Sequence, residues 1–339
     1  MKYKVLILTD HRNHSAENSL YELSIKMLAH RQTECIDIAS RENSINESFF
    51  SCSPYPKLYG TSITKDFVFN VQDHALSKDF KEVDLETYDM VWLRMPPPMD
   101  TEFLEFINNF FPKAVIINNP MAITETGSKE FLMNFQSVCP PMKICNSLED
   151  ITEFSSQFAI VLKPFNEYGG RGIVKIEGDK VSFGKEHCTL DEFSKAYAQN
   201  PIDYLAVKYL KNVKQGDKRI VVVNGEILGA SLRLPAENSW LCNVAMGGSS
   251  NRTEVEPEEE AIIKLINPIL TQRGIVMYGV DTLVGDDGKR VLSEINTTSI
   301  GGLPQIAAMQ QEPLVEKAID LIWKYFNNEN NQHEQHSGN

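Results

Sequence analysis

Short apolar runs alternate with amphipathic stretches through the first third of the chain, the pattern of strands and helices in an α/β layer. Val5 to Leu8 reads as a first strand, Ser19 to His30 as a helix and Glu34 to Ile38 as a second strand. Arg41 to Pro56 is polar and irregular. Tyr88 to Leu93 is another apolar strand, which delivers Arg94 to a Pro96-Pro97-Pro98 turn. A helix from Thr101 to Phe111 and a strand from Ala114 to Ile117 follow, and Glu125 to Gln136 reads as helical. Beyond Pro140-Pro141, Ala159 to Pro164 and Gly172 to Ile176 read as strands paired around a glycine-rich turn. A third unit opens with Tyr204 to Leu210 and runs through Lys218 to Val223, where Asn224-Gly225 is a hairpin signal. Glu254 to Glu260 precedes an apolar helix from Ala261 to Leu270, so its acids are read as complements to the helix dipole, with Pro257 in the first turn. The expected units are 1–120, 121–204 and 205–326, with a disordered polar tail from 327 to 339.

Two segments carry candidate chemistry. Met277 to Val284 and Arg290 to Asn296, joined at Asp286-Asp287-Gly288, read as a hairpin that sets Asp281, Glu294 and Asn296 inside apolar runs. Strand side chains alternate, so Glu294 and Asn296 share a face while Ile295 points the other way. Burying unpaired carboxylates is costly, and two carboxylates with an amide oxygen form a hard donor set suited to Mg²⁺. A hairpin with a solvated polar face is the alternative. The second segment is Asn166 to Gly172, where Gly169, Gly170 and Gly172 let backbone N–H groups approach phosphate oxygens closely. Lys163 leads into that loop, Lys129 lies on the preceding helix, and Arg219 and Arg233 come later. Together they are the local cations a polyanion needs.

Composition narrows the classes. The chain has 339 residues, 42% hydrophobic, enough for two or three domains with substantial cores. Its 33 basic residues against 46 acidic ones give a net charge of -13, which argues against a general nucleic-acid binder. No apolar run approaches a membrane span, and the N-terminal strand turns polar too soon for a signal peptide. Six cysteines without paired metal spacing fit free thiols in a reducing cytoplasm. There is no GxxxxGK[ST] loop, and the first strand–helix turn lacks GxGxxG, which excludes a P-loop and weakens a Rossmann reading.

The order of Lys129, VLKPFNEYGGRG, VKYLKNVKQGDKRIVVVNGE, SLRLP, GVD and SEINTTS resembles the ATP-grasp ligases, and most closely the bacterial glutathione synthetases. WLRMPPPMD resembles the end of that family's N-terminal domain. The resemblance implies an α/β fold with an N-terminal pre-ATP-grasp domain, a small α+β lid and a C-terminal α+β unit holding the metal. It implies that Lys129 and Lys163 contact ATP, that the backbone of Gly169, Gly170 and Gly172 covers the phosphates, and that Asp217 takes the ribose. Backbone groups of Lys208 and Leu210, flanking Tyr209, would hold the adenine edge. Asp281, Glu294 and Asn296 would ligate Mg²⁺ or Mn²⁺, while Arg219 and Arg233 stabilise the transferred phosphoryl group. Arg94 would meet a substrate carboxylate, with Asn243, Ser299 and Gly301 also at the substrate end.

The implied reaction passes a carboxylate through an acyl phosphate to an amine, which needs positioning, charge neutralisation and exclusion of water. Ala236 to Arg252 has the composition of a mobile cover. The chain departs from the family pattern at Gly127-Ser128, at Leu241 and Ser249 where arginines are usual, and at Ile300-Gly301-Gly302. Three readings stand: a glutathione synthetase, a related ligase for another amino acid or peptide, and a nucleotide-binding regulatory module. Small molecules or short peptides are the expected partners, with a homo-oligomer left open.

Overall fold

Three sheets build the described residues. The structure, a computed structural model, describes residues 1–69, 76, 80–97, 99–165, 171–235 and 249–337. The N-terminal strands are β1 (Tyr3–Thr9), β2 (Thr33–Ser40), β3 (Tyr59–Ser62), β4 (Lys81–Glu82), β5 (Met90–Arg94) and β6 (Val115–Ile117), in the order β4-β3-β2-β1-β5-β6. The central strands β2, β1, β5 and β6 run parallel. Parallel strands are covered on both faces, which is why β1 is apolar without a break from Val5 to Leu8. Val5 and Ile7 pack towards Leu20 and Leu23 of helix α1 (Ser19–Ala29). Leu6 and Leu8 pack towards Phe49 of α2 (Glu47–Phe50) and Ile107 of α3 (Thr101–Phe110).

Past α4 (Pro120–Thr126), the lid sheet contains β7 (Met142–Cys145), β8 (Ile160–Pro164), β9 (Val174–Glu177), β10 (Lys180–Phe183), β11 (Glu186–Thr189) and β12 (Tyr204–Lys208). These strands are antiparallel in the order β11-β10-β9-β8-β12-β7. Helices α5 (Leu148–Gln157) and α6 (Leu190–Gln199) cover this sheet, and Ile151, Phe154 and Phe193 join Ile160, Leu162 and Ile176 in a core of its own.

The C-terminal sheet is antiparallel, β15-β14-β13-β16-β17. Its strands are β13 (Asp217–Val223), β14 (Glu226–Leu234), β15 (Ser249–Thr253), β16 (Met277–Val284) and β17 (Arg290–Asn296). Alternation on β13 splits it between two cores. Ile220 and Val222 lie with Ile262 and Ile266 of α7 (Pro257–Gln272). Val221 and Val223 lie with Ile306 of α8 (Leu303–Gln310) and Ile322 of α9 (Leu314–Ser337). Both cores also hold N-terminal residues, so the outer two units share their interior.

The structure departs from the sequence reading in four places. The span read as one helix is broken: α4 ends at Thr126 with Gly127 as its cap, and a 3-10 helix, Lys129–Val138, restarts from Ser128, whose hydroxyl accepts the Glu130 amide at 3.2 Å. A serine at that position caps a new turn more readily than it continues an old one. Residues 41–56 include α2, whose Phe49 is fully buried among phenylalanine rings. The strand expected to open the C-terminal unit is β12 of the lid sheet, hydrogen-bonded between β8 and β7. Where a disordered tail was expected, α9 continues to Ser337, with Asn327 accepting from Gln32 at 2.8 Å. No Gly or Pro interrupts the sequence there before Gly338, and an established helix extends at little cost.

Candidate active site

Gly216 starts the site. With φ +84°, it turns the chain into β13, and a Cβ there would come 2.6 Å from the Arg233 carbonyl. Only glycine accommodates both the left-handed backbone and that approach. The strand then alternates: Asp217 and Arg219 face one side, Lys218 the other. Register pairs Asp217 with Arg233 on β14, and Arg219 with Asp281 on β16, which in turn pairs with Glu294 on β17. Asn296 pairs with Gly279 one step along. Four strands thus bring every predicted phosphoryl-transfer and metal residue into one patch.

The charges in this patch are tightly matched. Arg233 grips Asp217 with Nε at 2.8 Å and Nη2 at 2.6 Å, and its Nη2 also lies 2.9 Å from Asp281 Oδ2. Arg219 binds Asp281 in a bidentate fork, with Nη2 to Oδ2 at 2.7 Å, and Asn296 Nδ2 donates to Oδ2 at 3.2 Å. Asp281 is only 4% exposed. Burial pushes its carboxyl up, but Arg219 and Arg233 outweigh that and hold it well below the usual range. Burial and the Asp281 charge raise Asp217 in spite of Arg233.

Asp217, Arg219 and Asn296 of this patch border a cavity of about 700 Å³. Lys163, Arg171 and Ile173 line it from the lid side, Val207 to Leu210 from the connection between sheets, and Asp217, Arg219, Glu294 and Asn296 from the C-terminal sheet. Lys129 and Ser299 line it too, with Pro96, Pro97 and Met99 on the N-terminal side. Lys163 Nζ reaches across to the Ser293 carbonyl at 3.3 Å. Asp281 and Arg233 lie behind this wall and are not among its lining residues.

The connecting segment has a built-in gap in its ladder. Lys208 N–H donates to the Pro141 carbonyl at 2.8 Å, and Tyr209 N–H to Ala159 at 2.7 Å. Proline has no N–H to return a bond, so the ladder offers the Lys208 carbonyl no donor. That carbonyl, beside the Leu210 amide and the apolar walls Val161 and Val207, has the polarity of a purine-edge site. Lys175 Nζ stands 3.7 Å from the Tyr209 ring centroid, and Lys208 Nζ pairs with Asp286 at 2.7 Å. The sequence reading missed Pro141 and Lys175; the Pro140-Pro141 break was the available signal.

Arg94 sits differently from its expected place. It is 3% exposed, donates Nη2 to the Ile300 carbonyl at 2.7 Å, and has an Nε with no partner. Burial without a carboxylate lowers its pKa to about 10. Its own carbonyl accepts from Thr9 at 3.1 Å and Ser299 at 3.2 Å. Arg94 therefore ties the loop after β17 to the N-terminal sheet and is not among the cavity-lining residues; neither is Gly301. Asn118, another residue the sequence reading passed over, makes a similar tie by accepting from Val276 and Met277 and donating to Met277 and Thr297. Gly172 has φ +66°, whereas Gly169, Gly170, Asn243 and most of the expected cover lie outside the described residues.

The comparisons with known proteins agree with this geometry. The model of the prokaryotic glutathione synthetase ATP-grasp domain matches residues 128–311, more than half of the chain. The glutathione synthetase of Bradyrhizobium diazoefficiens is 32% identical over 254 residues, 74% of this chain and 77% of that protein. The chain belongs to the prokaryotic glutathione synthetase family. The enzyme of Rhodopseudomonas palustris is 31% identical over 74% of this chain and 78% of its own length. In fold, the protein is similar to D-cycloserine synthetase DcsG, with a TM-score of 0.61 at 12% identity over 93% of this chain and 99% of that one. The macrocyclase MdnC from Microcystis aeruginosa also gives 0.61, at 14% identity over 94% and 99%. The protein has the ATP-grasp fold and is an ATP-dependent ligase forming a C–N bond, which sets aside the regulatory-module reading. ATP and a divalent metal are the cofactors that membership brings. No helix among the described residues is long and apolar enough to cross a membrane.

The residues fit such a cation. Asp281, Glu294 and Asn296 offer only hard oxygen donors, and adjacent register places the two carboxylates opposite each other. The buried Asp281 carboxylate is met by two guanidinium groups, so a cation bound there would displace at least one of them.

Proposed function

We propose that this protein joins γ-glutamylcysteine to glycine at the expense of ATP, through a γ-glutamylcysteinyl phosphate. The observation that carries this reading is the cross-strand array of Arg233, Arg219, Asp281 and Glu294 beside one cavity of about 700 Å³. The adenine edge would meet the Lys208 carbonyl and Leu210 amide, and Lys129 and Lys163 would draw the phosphates. Asp281, Glu294 and Asn296 would hold Mg²⁺, which neutralises phosphate charge and aligns the γ-phosphoryl group when bound. With the cation on Asp281, Arg219 would exchange that carboxylate for the transferred phosphoryl oxygens. The substrate carboxylate attacks the γ-phosphorus and ADP leaves. The glycine amine then attacks the acyl carbon and phosphate leaves, with one proton released from the amine.

The names of the relatives favour glutathione chemistry. Leu241 and Ser249, standing where the resemblance expects arginines, favour a related ligase for another amino acid or peptide as the second reading. An ADP-release screen separates them. Under the first reading, release requires γ-glutamylcysteine and rises with glycine. Release with a different donor and acceptor, and none with this pair, would establish the second.

A further inference from the structure

We propose that Asp286, at the tip of the β16–β17 hairpin, is a positioning residue for recognition of the nucleotide base, acting through Lys208; the inference rests on the ligase reading and its purine-edge site. Glu294 and Asn296 bring one end of the hairpin to the cavity, and residues 285–289 turn the chain at the other. Hydrogen bonds within the turn hold it. Gly285 N–H donates to the Lys289 carbonyl at 2.7 Å and Gly288 N–H to the Gly285 carbonyl at 3.1 Å, while Asp287 Oδ1 accepts from Lys289 N–H at 3.1 Å. Asp287 therefore serves the turn itself, and Asp286 reaches beyond it to the segment that follows β12.

That segment is fastened on both sides of the purine edge. Asp286 Oδ2 pairs with Lys208 Nζ at 2.7 Å, and Oδ1 accepts from the Lys211 amide at 3.4 Å. Asn212 Nδ2 donates to the Gly285 carbonyl at 2.7 Å. Lys208 Nζ also stands 5.3 Å from the ring of Phe158, at the end of α5, so this side chain lies between lid and hairpin. The Lys208 carbonyl and Leu210 amide thus belong to a stretch held at Lys208 by an ion pair and at Lys211 and Asn212 by the turn. Adenine presents an amino donor beside a ring-nitrogen acceptor, which matches a carbonyl and an amide only while those two keep their spacing and direction. The Lys208 and Asp286 side chains are 29% and 35% exposed, so their pair adds little to overall stability. Its effect is on the aim of two backbone groups.

Calorimetric titration of wild type and Asp286→Asn with ATP and with inosine triphosphate tests this role. The inosine base carries an oxygen in place of the amino group and a proton on the ring nitrogen, so the same carbonyl and amide reject it. Both nucleotides have the same triphosphate, so phosphate and metal contacts cancel in the ratio of affinities. Wild type is expected to prefer ATP. In Asp286→Asn, ATP binding should weaken about 2–10-fold, the worth of one hydrogen bond, while inosine triphosphate binding stays the same and the preference narrows by that factor. Lys208→Met should have the same effect, and combining it with Asp286→Asn should add little. Asp286→Glu, which keeps the charge, should restore most of the preference. Asn212→Ala cuts the other tie to the turn and supplies the comparison if Asp286→Asn does not fold. A loss shared equally by both nucleotides would reveal a loosened fold and overturn the proposal. Wild type that prefers ATP, with Asp286→Asn keeping that preference in full, would overturn this inference alone. Wild type that binds neither nucleotide, or both alike, would overturn the purine-edge reading and the inference with it.

Discussion

Gly279 shows how closely a single position is tied to the charged cluster. A Cβ there would lie 2.9 Å from Arg219 Cδ and 3.3 Å from its Nε, because the arginine lies across the glycine on its way to Asp281. The side chain is absent for space, not for backbone freedom. Gly279→Ala should displace the guanidinium by roughly an ångström, and misplacement on that scale costs up to about 10²-fold in rate. Steady-state ADP release is expected to fall at least about tenfold while the urea midpoint moves little; an unchanged rate would mean that Arg219 does not need this path. The sequence exposed Asp281, Glu294 and Asn296 because charges inside apolar strands stand out. It could not show that Arg219 and Arg233 converge on Asp281, since the Arg219–Asp281 pair is 62 residues apart in the chain.

At the scale of elements, α7 does more than present acids to its own dipole. Glu256 and Glu259 form its capping box, and Glu259, fully buried, accepts from Lys218 Nζ at 3.0 Å and from Thr282 at 2.5 Å. Lys218 also donates to Glu256 at 2.6 Å and to the Glu254 carbonyl at 2.9 Å. Lys218 is the inward-facing neighbour of Asp217 and Arg219, so the helix fixes the far side of the strand that carries them. Glu259→Gln takes the buried carboxylate from Lys218, which keeps only the half-exposed Glu256, and from Arg290, and should cost up to about 3–5 kcal/mol. The double change Lys218→Met with Glu259→Met should cost less, because no buried lysine is left short of a carboxylate and Arg290, 3.9 Å from Glu259, keeps the Gly216 and Thr282 carbonyls. Urea unfolding of the two variants checks the order; a double variant less stable than Glu259→Gln would refute it. The acid run was visible in the sequence, but which acid turned inward depended on β13 lying beneath the helix.

Across the whole molecule, the N-terminal and C-terminal units share two cores, whereas the lid has a third and reaches the first through Leu205, with Met142, Ile144 and Val207 beside it. Ligand binding stabilises the folded state by about 2.7 kcal/mol at 100-fold excess over Kd. ATP with Mg²⁺ should therefore raise the melting temperature. A chelator should remove most of that rise, since Glu294 and Asp281 then face phosphate charge without a cation between them. An ATP-induced rise insensitive to chelator would count against the metal assignment. The sequence by itself determined the apolar strands from Val5–Leu8 to Arg290–Asn296 that it named, the two hairpins at Asn224-Gly225 and Asp286-Asp287-Gly288, and the residue types gathered around the cavity, because periodicity and turn chemistry are local. Only the tertiary structure decided that β12 belongs to the lid, that Arg94 is sealed against Ile300, and that Asp217 is clasped by Arg233. Those outcomes depend on which strands become neighbours and on how much water remains between them, and neither is encoded in the spacing along one segment.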